Sequence, residues 1–471
     1  MVFSSLVFLC IFFPVVLIAH SAIKNRKVQN GLLLAASLLF YAYGEPVYIL
    51  LMLASALYNY LFALFIAKHH KKLLLAAAVA VNIGMLCVFK YADFLVLNIN
   101  TVFRLSIQLP GISLPIGISF FTFQALSYVI DVYRGEVGAQ KNYGKLLLYI
   151  SFFPQLIAGP IVRYQDIERE IDERTVELRK IAFGLRRFIA GLGKKVLIAN
   201  AMGAAADYIF ACGAENINGL AAWIGAIAYL MQIYYDFSGY SDMAIGLGKM
   251  FGFHFKENFN YPYISASIQE FWRRWHISLS SWFRDYVYIP LGGNRKGKAR
   301  AILNRIIVFF LTGFWHGANW TFVLWGAFHG LFLLVEAAIP QIRKLPKVIL
   351  HIYTLLAVTL GFVIFRADSI SEAFLFIGKM FGGFGSSAAM TSFALQAITP
   401  YFVVMLIVAI ICCGPISKMI NPIKQLETKE VLTAEERRIQ ILTFVLSWAL
   451  LAWCIIRLAG GSYNPFIYFR F

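Results

Sequence analysis

Charge is scarce in this chain. Of its 471 residues only 14% are Asp, Glu, Lys or Arg, whereas 60% are hydrophobic, and the mean hydropathy is +0.70. A soluble protein of this length cannot hide that much apolar mass behind so little polar surface, so the composition excludes a soluble globular domain. Negative charge is scarcer still, with 24 Asp and Glu against 42 Lys and Arg and a net charge of +18. A nucleic-acid binder with that balance needs a soluble basic domain to carry it, and none is present. Basic inside loops of a polytopic membrane protein account for the excess. Cysteine is also sparse. Cys10, Cys87, Cys212, Cys412, Cys413 and Cys454 lie in or beside apolar segments without CxxC spacing, which suggests neither a zinc site nor a disulfide framework. Several catalytic signatures are missing: no GxSxG elbow, no HExxH zinc motif, no Walker A loop, and no histidine with Asp five residues on.

What is present is apolar sequence in blocks of bilayer-crossing length. They fall near Phe3–Ala19, Tyr48–Ala67, Leu73–Phe89, Leu146–Val162, Leu220–Ile245, Trp320–Ala338, Val348–Phe365, Tyr401–Cys413 and Ile439–Ile456. Shorter blocks lie at Leu32–Tyr43, Ile116–Val132 and Ile302–Phe314. A crossing helix needs about 20 apolar residues, so the pattern predicts an all-α polytopic protein with roughly eleven to thirteen helices crossing or entering the membrane, some of them re-entrant. The first block has no Lys or Arg before it, so it does not read as a signal peptide. Lys24, Arg26 and Lys27 follow that block, and "KHHKK" (Lys68–Lys72) comes two helices later. Both basic loops then lie inside, and the N-terminus outside.

Three polar stretches interrupt an otherwise single membrane domain spanning residues 1–471. From Arg163 to Arg187 the chain turns polar, and the basic doublets Arg179-Lys180, Arg186-Arg187 and Lys194-Lys195 continue along "LRKIAFGLRRFIAGLGKKVLIAN". Their spacing of seven or eight residues keeps them mostly on one side of a helix, which reads as a helix lying in the cytoplasmic interface. The densest interruption is residues 261–300, with aromatics among Arg273, Arg274, Arg284 and Arg295 and a Pro-Leu-Gly-Gly-Asn turn at Pro290–Asn294. It reads as short amphipathic or re-entrant helices. The third, Gly382–Thr391, reads as an outer loop.

Few ionisable groups remain at membrane depth: His316, His329, Asp236, Asp242 and Asp131, with His276 in the polar segment. Such a group is costly there, and it marks a functional site or a satisfied polar contact. His316 sits in "FWHGANW", where Gly313 and Gly317 form a GxxxG that admits a second backbone closely. Trp315 and Trp320 supply apolar walls with N–H donors. Asn319, three residues on in a helix read over residues 303–338, falls on the same side and orients the imidazole. A buried imidazole stays neutral and accepts protons, so His316 reads as a general base, with satisfied packing as the competing reading. His329, thirteen residues on, falls on a different helix face and reads as packing. Asp236 and Asp242 in "YYDFSGYSDMAIGLG" read as polar packing ahead of substrate contact.

Blocks at Leu114–Gly135, Ser151–Tyr164, Tyr234–Phe253 and Phe271–Arg295, followed by "FLTGFWHGANWTFVLWGAFHG", resemble the membrane-bound O-acyltransferase family, nearest its alginate O-acetylation branch. The ending "NPFIYFRF" resembles that branch as well. The resemblance implies a ring of tilted helices around a central tunnel. It also implies transfer of an acetyl group from cytoplasmic acetyl-CoA toward an extracytoplasmic polysaccharide hydroxyl. It places the family's histidine on His316 and its second active-site position on His276. It further implies donor binding or tunnel lining by Arg273, Arg274, Trp275, Ser278, Arg284, Asp285, Trp315 and Asn319; Arg273, Arg274, Arg284 and Arg295, on the expected cytoplasmic side, are the candidates for the phosphates of acetyl-CoA. No resident cofactor or metal is expected. The expected partners are the lipid bilayer, the acyl-CoA donor, a polysaccharide acceptor and an extracytoplasmic SGNH-type acetyltransferase, and the expected location is a bacterial cytoplasmic membrane. D-alanyl transfer from a carrier-protein thioester to teichoic acid is the alternative enzyme reading, and a polytopic transporter the alternative of another class.

Overall fold

The computed structural model describes residues 1–385, 390, 392, 395–414, 429, 433–461 and 463–467. Half of the predicted loop at Gly382–Thr391 and the last four residues of the "NPFIYFRF" ending lie outside the described residues. Among the described residues the chain is helical and contains no strand. It forms two compact units: residues 1–188 with 243–256, and residues 189–242 with 257–471.

The first unit contains α1 (Phe13–Ala22), α2 (Arg26–Gly44), α3 (Ile49–His69), α4 (Lys72–Leu86), α5 (Ala92–Phe103), α6 (Ile118–Arg134), α7 (Tyr143–Ser151), α8 (Phe153–Leu156) and α9 (Tyr164–Glu173). Helix α3 packs on α6 and α7, and α4 on α6. Asn59 on α3 and Asn82 on α4 exchange amide hydrogen bonds at 3.1 and 2.9 Å. Between apolar helices such a pair supplies directional attachment that lipid cannot compete with. The block Leu146–Val162, expected as one span, is instead α7 and the single-turn α8, with Phe152 non-helical at their junction. Pro154 in the first turn of α8 has no N–H to carry the α7 ladder onward.

Helix α10 (Leu178–Gly193) runs on through a π-helical stretch, Lys194–Ala199, into α11 (Asn200–Phe210), making one continuous 33-residue helix apolar enough to cross a bilayer. The expectation was a helix lying in the interface; by length and composition this one can also cross. Within the second unit Lys195 pairs with Asp236 at 2.7 Å and Lys194 with Asp242 at 2.6 Å, so each ammonium group has a carboxylate partner, the first buried and the second part-exposed. The aspartates come from α12 (Gly219–Met250), and both are polar packing as expected.

The second unit continues with α13 (Ile268–Arg274), α14 (Ile277–Phe283), α15 (Lys298–His316), α16 (Trp320–Ala338), α17 (Lys347–Arg366), α18 (Ile370–Gly382), α19 (Pro400–Cys412) and α20 (Ala434–Ala459). Residues 261–300 are short helices and turns as predicted, with Pro290–Asn294 in the turn. Asn304 holds that turn through its amide, which donates to the Gly293 carbonyl at 3.0 Å. The expected helix over residues 303–338 is broken. Gly317 is fully extended and Asn319 caps α16, accepting from the Thr321 N–H at 3.1 Å.

Among the described residues six helices are long and apolar enough to cross a membrane: Ile49–His69, Lys72–Phe103, Leu178–Phe210, Trp320–Ala338, Lys347–Arg366 and Ala434–Ala459. Phe8–Ala22 and Pro400–Cys412 are shorter apolar helices. On α20 the exposed residues include Ile441, Leu442, Val445, Leu446, Trp448, Trp453 and Ile456. Apolar surface so continuous is stable against lipid, not water, and the protein is a multi-pass membrane protein.

Candidate active site

His316 is the last residue of α15 and is buried. The hairpin that carries it is held by glycine. A Cβ on Gly313 would stand 2.4 Å from the Phe322 carbonyl oxygen, and one on Gly326 would stand 2.3 Å from that of Phe309. Only hydrogen fits at either point, so the two backbones of α15 and α16 touch, as the GxxxG pattern predicts. The close approach lays the His316 ring against Trp325 (ring centroids 5.0 Å apart), Trp315 (5.0 Å) and Phe365 (5.3 Å).

The His276 ring also lies against Trp315, with centroids 5.9 Å apart. It joins α13 to α14 in the left-handed region at φ 44°, a conformation that costs a non-glycine residue energy and holds only when its surroundings enforce it. The enforcing residue is Asn258, which sequence reasoning missed. The Asn258 carbonyl accepts from the Ile277 N–H at 3.0 Å. Its side-chain oxygen accepts from the Ser278 hydroxyl at 2.8 Å and the Ser278 N–H at 3.2 Å, and lies 3.2 Å from His276 Nδ1. Its amide nitrogen donates to the Ser241 hydroxyl of α12 at 3.2 Å. Phe237, also on α12, closes the cage with its ring 4.6 Å from the His276 ring. His276 is 0% exposed. Burial, and then the neighbouring His316, holds its pKa well below the usual histidine value. An "Asn-Phe-Asn" before a Tyr-Pro turn is ordinary loop chemistry in sequence, so no local signal marks Asn258.

The structure separates the other predicted residues. Ser278 belongs to the Asn258 network, and Trp315 contacts both imidazoles. Trp275 is buried in an aromatic cluster with Phe259 (5.1 Å) and Phe271 (5.5 Å) rather than facing the histidines. Arg274 is tied to Glu270 at 2.8 Å, and Arg284 to Asp285 at 2.7 Å. Asn319 is a correction. The helix break at Gly317 takes it away from His316, and its amide donates to the Asp368 carbonyl at 3.1 Å. The expected separation of His329 from His316 also fails. The two rings pack against the same Trp325, at 5.2 and 5.0 Å, because the chain reverses between them. His329 is enclosed by Trp272, Phe271 and Phe328, and among the described residues neither of its buried ring nitrogens meets a hydrogen-bond partner. The aromatic enclosure favours the packing reading.

A cavity of about 500 Å³ opens beside this cluster, a size typical of small-molecule sites. Arg273, Arg284, Arg305 and Arg343 line it, together with Trp272 and Glu336. Arg273 and Arg305 form no ion pair among the described residues. The sequence reading anticipated Arg273 and Arg284 here but missed Arg305, Arg343 and Glu336. Trp272 connects cavity to cluster, its ring 5.5 Å from that of Trp325. Glu336 is buried near the C-terminal end of α16. Its carboxylate accepts from the Ile268 N–H at 2.6 Å and the Gln269 N–H at 3.2 Å, pinning the start of α13. No cluster of metal-ligating side chains occurs among the described residues.

Two buried imidazoles and a basic cavity thus occur in one helical unit of a multi-pass membrane protein. The membrane-bound O-acyltransferase family matches residues 121–378, more than half of the chain. The probable alginate O-acetylase AlgI of Pseudomonas putida is 40% identical and aligns over 100% of both chains. The peptidoglycan O-acetyltransferase of Helicobacter pylori is 36% identical over 81% of this chain and 80% of its own. The teichoic acid D-alanyltransferase of Streptococcus thermophilus is 31% identical over 47% of this chain and 57% of its own. This chain belongs to the membrane-bound O-acyltransferase family and is an acyltransferase.

Proposed function

We propose that the protein transfers an acetyl group from cytoplasmic acetyl-CoA toward the hydroxyl of an extracytoplasmic polysaccharide, with His316 and His276 as its proton-handling pair. The observation that carries this is two buried imidazoles packed on one indole, Trp315, with a cavity lined by four arginines nearby. The hydroxyl oxygen attacks the thioester carbonyl as its proton passes to an imidazole, with His316 the expected base. The C–S bond then breaks, and the proton is delivered to the departing thiolate, leaving an ester and a free thiol. General-base help of this kind is worth about 10²–10⁴-fold. Arg273 and Arg305 suit the phosphates of a nucleotide-bearing donor, since guanidinium groups bind phosphate through paired N–H donors. Acetyl rather than D-alanyl transfer is favoured because the O-acetylase relatives align over the whole chain or four-fifths of it, the D-alanyltransferases over less than half. The basic loops at Lys24–Lys27 and Lys68–Lys72 support an N-terminus outside a bacterial cytoplasmic membrane, and in this reading a separate extracytoplasmic SGNH-type acetyltransferase completes delivery.

The test offers purified, reconstituted protein radiolabelled acetyl-CoA or a D-alanyl carrier protein in turn. His316→Ala protein that is folded and in the membrane should lose acetyl transfer. Full retention of transfer sinks the assignment, and transfer only from the carrier favours D-alanylation.

A further inference from the structure

We infer that Asn258 is a positioning residue that locks His276 with its hydrogen on Nδ1, so that the bare Nε2 lone pair is a hydrogen acceptor for the attacking hydroxyl. The inference rests on the acyl-transfer reading above and divides the work within it. The deduction starts from a group with no freedom. The Ser278 backbone N–H can only donate, and it points at one side-chain atom of Asn258 from 3.2 Å. That atom is therefore the amide oxygen, and the amide nitrogen is the atom facing Ser241 at 3.2 Å. The same oxygen lies 3.2 Å from His276 Nδ1, so that nitrogen must carry the hydrogen. The Ser278 hydroxyl, 3.4 Å from Nδ1, gives its own hydrogen to Asn258 at 2.8 Å and leaves only lone pairs for the imidazole. Both neighbours demand the same tautomer.

The consequence falls on Nε2, which is buried and meets no hydrogen-bond partner among the described residues. A buried polar atom is normally satisfied, and a bare one at a functional site marks the place of a missing hydrogen bond. In this tautomer Nε2 can accept but cannot donate, so neutral His276 does not stabilise an oxyanion. His276 is thus a second acceptor beside His316, the expected base. The titratable group acting on His276 is His316, from α15. On α12, which supplies Phe237 and Ser241 to the cage, Asp236 and Asp242 are occupied by Lys195 and Lys194. Each imidazole disfavours the other's charge, so the pair takes up one proton per transfer, and it is coupled rather than assigned to a single ring.

Two measurements test this. Solid-state NMR of ¹⁵N-histidine-labelled protein in bilayers, with His276→Asn protein used to assign the signal, should show Nδ1 protonated and Nε2 bare. The reverse tautomer overturns the inference whether or not acetyl transfer is ever detected. In the activity arm, Asn258→Leu should lower kcat about 10²-fold while the donor KM stays within about twofold. Asn258→Asp keeps an acceptor for Nδ1 but favours the imidazolium. The acid limb of its kcat/KM profile should move to higher pH. A folded Asp variant with an unmoved profile, or a folded Leu variant with wild-type kcat, refutes the positioning role. Wild-type protein without any acyl transfer would refute the functional reading and leave the NMR result standing.

Discussion

The buried pair Lys195–Asp236 offers the sharpest quantitative prediction. The two residues are 3% and 1% exposed. Asp236 also accepts from the Ile467 N–H at 2.8 Å, and Lys195 donates to the Pro465 carbonyl. Lys195→Met removes the cation and leaves a carboxylate with nothing to offset its desolvation, which costs about 3–5 kcal/mol. Asp236→Leu costs a similar amount by stranding the ammonium. The double variant Lys195→Met/Asp236→Leu removes both charges. What remains is the lost acceptor for the Ile467 N–H, about 1–3 kcal/mol. The double variant is therefore expected to be more stable than either single one, with a favourable coupling on the order of 3 kcal/mol or more. Reversible unfolding of purified protein in mixed micelles, followed by intrinsic fluorescence, reads all four proteins. Activity reports the same geometry, because Asp236 neighbours Phe237, whose ring closes the His276 cage. Strictly additive losses would refute the reasoning, since they would mean the two charges do not share one buried site.

Other perturbations bear on the cavity and the hairpin. Gly326→Val places a Cβ about where the Phe309 carbonyl already stands. It should cost at least the ~1–3 kcal/mol of overpacking and abolish transfer, checked by monodispersity and by acetyl-CoA turnover. Arg273→Gln with Arg305→Gln should raise the donor KM at least about 10-fold with kcat nearly unchanged, because a hydrogen bond to a charged group is worth about 1.5–3 kcal/mol. An unmoved KM in the folded double variant rejects the phosphate role. Glu336→Ala strips two N–H groups of α13 of their acceptor. It should destabilise the protein by about 1–3 kcal/mol for each N–H, whereas Glu336→Gln, which keeps one oxygen, should lose roughly half as much. Equal stability of the two variants in thermal unfolding would argue against that attachment.

Composition and pattern alone determine much of this protein. Scarce charge and long apolar blocks require helices in a bilayer, because no other arrangement satisfies so much backbone without water. Gly313 and Gly317 announce a close helix contact in the one-dimensional pattern. The break after His316 was legible too, since Asn319 before an apolar run is an N-cap signal. It was overlooked because the apolar run on both sides masks it. The site is another matter. Asn258 reaches His276 across 18 residues, Glu336 reaches Ile268 across 68, and Lys195 meets Asp236 from a different helix. Periodicity says which face of a helix is apolar, but it carries no information about which buried polar group will meet which. That pairing is decided when helices pack, since in lipid and protein interior each polar atom must find its partner in three dimensions. The histidines could be found in the sequence. The tautomer of His276, which decides what it can do, came only from the packing that holds Asn258 against it.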